Sequence, residues 1–245
     1  MKSDEYEIMY RVEDAHWWYR GLRAVLQDHL RQFAPAGSVR LLDVGCGTGA
    51  NLQVAPEPAT AFGVDYAFEA VRFCRKRSLR HTLAASALDL PFADASIDVM
   101  ISCDVLCHRS IRNKRAALGE MRRVLAQGGL LLLNLPAYQW LHSSHDVHVH
   151  TDRRFSRGEV AGLLREADFQ PLRITYWNAV LFPAAASVRL WRKLAPPQHS
   201  DLAQEPGALA SACCSALLAC ERSAMRIADL PFGLSVFAAA RKPAV

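Results

Sequence analysis

Apolar residues fall along the chain in two alternating rhythms. Short continuous runs mark buried strands: Val39 to Val44, Ala61 to Asp65, Ile97 to Ser102 and Leu130 to Leu135, with His81 to Ala84 as a weaker one. Between them the apolar residues return at helical spacing, over Ala67 to Ser78 and over Asn113 to Leu125, the second closed by Gly128-Gly129. Glu5 to Phe33 also reads as helical, with Val25, Leu26, Leu30 and Phe33 on one face, until Pro35-Ala36-Gly37-Ser38 breaks it. Further on, the pattern predicts a helix over Ser156 to Ala167 and a strand over Gln170 to Tyr176. Helices follow over Asn178 to Leu194 and Ala208 to Ile227, separated by a polar loop from Ala195 to Gly207. Gly233 to Ala240 is the last strand.

Strand and helix alternate through the first two thirds of the chain. That order predicts an α/β fold with a mostly parallel sheet covered by helices on both faces. In such sheets ligands sit beyond the carboxyl ends of the strands. Chemistry is therefore sought in the residues just after each strand.

Composition narrows the setting. The 245 residues suit one domain with a sizeable insertion, and about half are apolar, enough for a core. No run of roughly 18 apolar residues is present, so no transmembrane segment is expected. The first residues, Met1 to Glu7, are acidic and lack an apolar signal core, which predicts a cytoplasmic protein. Seven cysteines with no C-x-x-C pair argue against a disulfide framework and against a zinc site. The formal charge of +5 is scattered, as in Arg72 to Arg77 and Arg112 to Arg115. It forms no recognisable nucleic-acid module, so no nucleic-acid partner is expected.

The run Asp43-Val44-Gly45-Cys46-Gly47-Thr48-Gly49 follows the first strand. Glycines there let the backbone approach a ligand closely. The loop alone also fits a dinucleotide, because Gly45-x-Gly47-x-x-Ala50 matches that relaxed fingerprint and Asp65 suits a ribose in either case. Three features separate the readings. Asp43 would repel a pyrophosphate but favour a cationic cofactor. The spacing Gly45-x-Gly47-x-Gly49 suits a wide loop around an amino-acid moiety. A second acidic turn, Ala87-Leu88-Asp89-Leu90, places a carboxylate where an adenine amino group could be bonded.

The segments LLDVGCGTGANL, GVDYA, ALDLPFADASIDVMISCDVLCH and MRRVLAQGGLLLLNLP, taken in this order, resemble class I S-adenosylmethionine-dependent methyltransferases. The resemblance covers about Val39 to Pro136. It implies a Rossmann-like, doubly wound, seven-stranded sheet whose last strand runs antiparallel. It also implies S-adenosylmethionine as cofactor and S-adenosylhomocysteine as product. Gly45, Cys46, Gly47, Gly49 and Asn51 would hold the methionine part, Asp65 and Tyr66 the ribose, and Ala87, Leu88 and Asp89 the adenine. Cys103 would line the cofactor from the end of the fourth strand.

The segment His16-Trp17-Trp18-Tyr19 with Arg23 resembles a bacterial subgroup of the same family that carries an N-terminal H-W-W-aromatic motif. The resemblance implies a helix closing over the cofactor, with Trp18 and Tyr19 against it and Arg23 on its carboxylate. Where the subgroup carries consecutive basic residues, this chain has Leu22, so a surface role for Arg23 stays open.

The stretch from Tyr138 to Phe155 holds four of the nine histidines. No H-x-x-x-H or H-E-x-x-H pair occurs in it, so no metal is assigned. It should lie beside the cofactor methyl. His145 next to Asp146 is a candidate general base, and His108 after the fourth strand a second. His16, Tyr138, His150, Arg153 and Arg154 are candidate substrate contacts. Either arginine could orient an anionic group or brace the loop against a carboxylate.

The expected layout is a single methyltransferase domain over 1–245: an N-terminal helical cap over 1–37, a cofactor-binding core over 38–177, a helical insertion or lid over 178–231, and the last strand over 232–245. The leading expectation is methylation of an O or N atom of a small metabolite or natural-product intermediate, a biosynthetic role. Methylation of a peptide carboxylate and a non-catalytic cofactor-binding module are the alternatives. Val188 to Leu194 is basic and amphipathic, so peripheral membrane contact is considered, though the segment is short. The oligomeric state is left open, a homodimer included.

Overall fold

The computed structural model describes residues 3–194 and 207–244. Seven strands form one sheet: β1 (Val39–Val44), β2 (Ala59–Asp65), β3 (Thr82–Ala84), β4 (Ile97–Cys103), β5 (Leu125–Pro136), β6 (Gln170–Trp177) and β7 (Ser235–Arg241). Their order is β3-β2-β1-β4-β5-β7-β6. β7 runs antiparallel to both its neighbours and every other pairing is parallel. The chain thus has the mostly parallel sheet that the pattern predicted and the Rossmann-like, doubly wound order with an antiparallel last strand that the resemblance implied.

Successive strand residues point to opposite faces, so each buried strand feeds two cores. On one face Leu42, Met100 and Leu131 pack with Leu118 and Met121 of α4 (Lys114–Val124) and with Val160 and Leu164 of α6 (Arg157–Glu166). On the other, Leu41, Val99 and Leu132 pack with Leu22, Val25 and Leu26 of α2 (Trp17–Phe33) and with Leu218 and Met225 of α8 (Ala208–Met225). This explains why β1, β4 and β5 read as continuous apolar runs rather than as alternating ones.

Three boundaries differ from the sequence pattern. The N-terminal helical stretch is two helices, α1 (Ser3–Val12) and α2. His16 caps α2, its Nδ1 accepting from the Trp18 amide at 3.2 Å. Gly128 and Gly129 do not end α4 but lie inside β5, where the Gly128 amide donates to the Lys242 carbonyl at 3.0 Å. Strand pairing with the chain terminus takes the glycines that the pattern assigned to a helix stop. The insertion's first helix, α7 (Phe182–Leu194), starts four residues late because Glu221 of α8 accepts from the amides of Asn178, Ala179 and Val180. Most of the loop expected between α7 and α8 lies outside the described residues. No helix among the described residues is long and apolar enough to cross a membrane.

Candidate active site

A cavity of about 1460 Å³ opens at the carboxyl ends of β1, β2 and β4. Its floor is Val44, Gly45, Cys46 and Gly47, and its near side is Asp65 to Glu69 with Ala85 to Leu88. α1 and the start of α2 roof it through Tyr6, Met9, Glu13 and His16 to Tyr19. The far wall combines Cys103, Asp104, His108, His150 and Arg154 with Ala185, Val188 and Arg189 of α7. Strand register brings the pieces together, since Asp43 lies beside Gly63 and Ile101, and Cys103 beside Asn134.

The glycine loop is held by its own backbone. The Gly45 and Cys46 amides donate to the Val64 carbonyl at 2.7 and 2.9 Å, and the Gly47 amide to Asp65 Oδ2 at 2.9 Å. These N–H groups are already engaged, so the loop makes room for a ligand more by lacking side chains than by donating to it. Gly45 sits at φ +80, and a Cβ there would collide with Val105 of the far wall. Gly45, Cys46, Gly47 and Asn51 line the cavity. Gly49 does not. It turns the chain at φ +93 against Leu79 and Cys74, a supporting role.

Two acids stand beneath this loop. Asp65 accepts from Gly47, from the Ala67 amide at 2.9 Å and from the Tyr6 hydroxyl at 3.2 Å. Burial raises its pKa while those donors pull it back. Asp43 is wholly buried, and neither carboxylate oxygen has a hydrogen-bond partner among the described residues. Burial first, then Asp65 and Glu13, push it up to about 8. An orphaned buried carboxyl directly under the loop fits a positively charged cofactor and opposes a pyrophosphate. It does not itself line the cavity, so it would act on a ligand there through charge, once a cation draws off its proton. Tyr66 and the Ala87–Leu88 turn line the cavity as expected, whereas Asp89 is exposed and lies just past the lining.

The N-terminal aromatic segment does two jobs. His16, Trp18 and Tyr19 line the cavity, and Trp18 also packs against Trp177 with ring centroids 5.8 Å apart. Burial raises the Tyr19 hydroxyl's pKa, so it stays protonated. Arg23 is placed differently from the cofactor role considered for it. It donates to the carbonyls of Glu13 at 2.9 Å and Asp14 at 3.3 Å and does not line the cavity. Its task is to fasten the end of α1 to α2. Glu13 in turn bonds Thr48 of the glycine loop and Arg77 of the segment after α3 (Phe68–Lys76), which ties the roof to the floor.

Asp104, which the pattern did not single out, opens onto the cavity just past β4 at φ +57. Asn134 donates to both its oxygens at 3.2 and 3.3 Å, and Trp177 Nε1 donates to Asn134 at 2.7 Å. Asp104 is exposed to solvent through the cavity but ringed by protein, and that desolvation pushes it up to about 7 despite the Asn134 bond. His108 stands nearby, its Nδ1 accepting from the Ser110 amide at 3.2 Å, so the remaining proton sits on Nε2. Burial, with His150 and Arg109 adjacent, lowers it to about 4, and it is neutral at pH 7. His108 and His150 meet edge to face at 5.6 Å. Their loops are stitched together, the Arg109 amide donating to the His150 carbonyl at 3.0 Å.

In the histidine-rich stretch Asp146 is committed to arginines. It is buried and bonded by Arg154 Nε at 2.9 Å and by the Ser143 amide at 2.8 Å, with Arg189 at 3.7 Å. Burial opposes its charge, but Arg154 and Ser143 outweigh that and hold its pKa low. Arg154 is therefore the arginine that braces the loop, although it also touches the cavity. Arg153 points out to Glu159 at 2.7 Å and does not line the cavity. Tyr138 also lies off the cavity, stacked on Tyr176 at 5.1 Å. The side chain of His145 lies outside the described residues.

A sequence profile described as a methyltransferase domain matches residues 42–133. The chain is 33% identical over 147 residues to the probable tRNA methyltransferase 9B of Mus musculus, covering 58% of this chain and 30% of that protein. It thus spans less than a third of that relative's length. A solved S-adenosylmethionine-dependent methyltransferase from Thermotoga maritima superposes with a TM-score of 0.60 at 17% identity, covering 98% of this chain and 95% of that one. Phosphoethanolamine N-methyltransferase 2 of Haemonchus contortus, solved with S-adenosylmethionine, superposes with a TM-score of 0.58 at 19% identity, covering 92% and 53%. These two structures share the fold. Residues 42–133 thus match a methyltransferase domain, and the sheet that carries them has the fold of these two S-adenosylmethionine-dependent enzymes.

Proposed function

We propose that the chain transfers a methyl group to an O or N atom of a small metabolite or natural-product intermediate held in the same cavity as the cofactor. The observation that carries this reading is the continuity of the cavity from the glycine loop to the Asp104–His108–His150 wall. At about 1460 Å³ it exceeds the roughly 300–1,000 Å³ of a typical site for one small ligand, which leaves room for an acceptor beside the cofactor.

When bound, S-adenosylmethionine supplies a methyl group already activated on a sulfonium. The protein's own contribution is positioning and exclusion of water. Gly45, Cys46, Gly47 and Asn51 would receive the methionine part, Asp65 the ribose and Leu88 the adenine edge. Asp43 would balance the positive charge from below. Tyr6 and Met9 of α1 would close the roof. On the far wall Asp104, with a pKa near the working pH, would take the proton from a hydroxyl or ammonium acceptor. His108, neutral and held by Ser110, would form the wall beside that acceptor. α7 supplies one side of the acceptor region, which supports the lid reading for that half of the insertion.

A tRNA nucleoside is the second reading, favoured by the names of relatives such as the mouse protein. One experiment separates the two. Labelled S-adenosylmethionine is offered with bulk tRNA and, in parallel, with a small-molecule extract. Label in the extract supports the small acceptor, and label in tRNA alone refutes it. Calorimetry with S-adenosylhomocysteine and with NAD tests the cofactor end, where binding of NAD alone would overturn the whole assignment.

A further inference from the structure

A second pocket, of about 390 Å³, lies between α2, β6 and α8 and shares no residue with the methyl-transfer cavity. Asp28 and His29 of α2, Arg173 of β6, and Arg222 with the adjoining Arg226 at the end of α8 form its walls, with Arg31 at the rim. α2 climbs about 16 Å from the cavity-lining Trp18 to His29, at roughly 1.5 Å per residue. The pocket is therefore at the far end of that helix.

Four guanidinium groups converge there on too few carboxylates. Asp28 takes three of them, Arg31 at 3.1 Å, Arg226 at 2.9 Å and Arg222 at 3.2 Å. Arg173 is held by Asp229 at 2.7 Å and by the Ala228 carbonyl at 3.2 Å. Four cations against two carboxylates leave two positive charges in excess. Three buried atoms also lack a hydrogen bond among the described residues. Two of them, Arg222 Nε and Asp28 Oδ2, face each other at 3.2 Å without hydrogen-bond geometry. His29, only 3% exposed, bonds the Val25 carbonyl through Nδ1 at 2.8 Å, and its Nε2 has no hydrogen-bond partner among the described residues. Since Nδ1 faces a carbonyl it carries the proton, which leaves Nε2 as an acceptor. Packing alone would account for the His29 ring, which lies 4.5 Å from Phe237. It does not account for the unmet nitrogen or for the surplus of arginines around it.

A tetrahedral oxyanion meets these demands together. Its oxygens accept from several guanidinium groups at once, and a monoprotonated phosphate also offers a hydroxyl to an acceptor nitrogen. We propose that this pocket binds a phosphate group, as inorganic phosphate or carried by a small phosphomonoester, independently of cofactor and acceptor. The site does not depend on the methyl acceptor proposed above.

The test is a titration of the intact protein, followed by the His29 ring resonances in NMR and by calorimetry. The probes are inorganic phosphate, adenosine 5′-monophosphate and a short single-stranded oligonucleotide. The variant is Arg31→Gln/Arg226→Gln, at two exposed positions, with folding checked by circular dichroism. The expected result is that phosphate or the monophosphate binds one per chain and shifts the His29 signals. Its affinity should fall at least about tenfold in the variant while S-adenosylhomocysteine binds as before. A response to the oligonucleotide alone overturns the proposal, because a phosphodiester has no hydroxyl to give His29. No shift at His29 with any probe up to the order of 10 mM, or equal binding by the variant, overturns the proposal.

Discussion

Asp43→Asn isolates what the buried acid under the glycine loop does. The carboxyl titrates near 8 rather than at its ordinary 3.8, because burial and then Asp65 and Glu13 disfavour the anion. The folded chain keeps this proton over a range in which the unfolded chain has lost it. The associated stability is therefore fully present below the unfolded value of 3.8 and declines as pH rises toward the folded value of about 8. Each unit of that gap corresponds to about 1.4 kcal/mol, so the loss approaches about 4 kcal/mol by pH 7 as a ceiling. Asparagine is neutral at every pH and removes this component. The assay is urea denaturation of the cofactor-free protein at several pH values between about 5 and 9, since the stability slope reports the difference in bound protons. The wild type should lose stability across this range more steeply than the variant, by up to about 1.4 kcal/mol per pH unit. A cationic cofactor favours the anion, so wild-type affinity for S-adenosylmethionine should rise toward pH 8 with proton release. In the variant it should be weaker and flat. Equal slopes in both proteins would refute the claim that Asp43 holds a proton in the empty site.

Three further substitutions probe other parts of the same machinery. Arg154→Met leaves Asp146 buried with Arg189 at 3.7 Å as its nearest cation, and should cost about 3–5 kcal/mol in chemical denaturation. A loss below about 1 kcal/mol would mean that the pair does not brace the loop. Gly45→Ala forces a side chain at φ +80 into Val105 and should weaken S-adenosylhomocysteine binding more than about tenfold with the fold intact. Unchanged affinity would show that the loop tolerates a Cβ. For Asp104→Asn, turnover on an identified hydroxyl or amine acceptor should drop about 10²-fold and lose its rise near pH 7 while cofactor affinity is kept. An unaltered pH profile would remove Asp104 as the proton acceptor.

What the sequence made legible follows a physical line. β1, β4 and β5 feed a core on each face, so their residues had to be continuously apolar, and they stood out at once. The glycine loop was legible because its φ values exclude most side chains. Asp43 and Asp65 were legible because each lies at the carboxyl end of a strand, Asp43 one residue before the end of β1 and Asp65 at the end of β2, where a parallel sheet places its ligands. What escaped depends on partners remote in the chain. The β5 glycines serve pairing with Lys242, more than a hundred residues away. That Asp146 pairs with Arg154, eight residues on, is visible only in the fold. Arg23 carried the right charge for a carboxylate, yet two backbone carbonyls at the end of α1 claim it.

Asp104 shows the limit most clearly. Nothing local distinguishes it from the other exposed acids of the chain. Its character comes from Asn134 on the neighbouring strand, which is itself oriented by Trp177 at the end of β6. Trp177 also meets Trp18 of the N-terminal aromatic segment. The conspicuous aromatic pair and the inconspicuous acid thus belong to one chain of contacts from the roof of the cavity to its far wall. If that chain positions Asp104, then Trp18→Ala should alter the pH profile of turnover as well as cofactor affinity. A change in affinity alone would confine Trp18 to the roof.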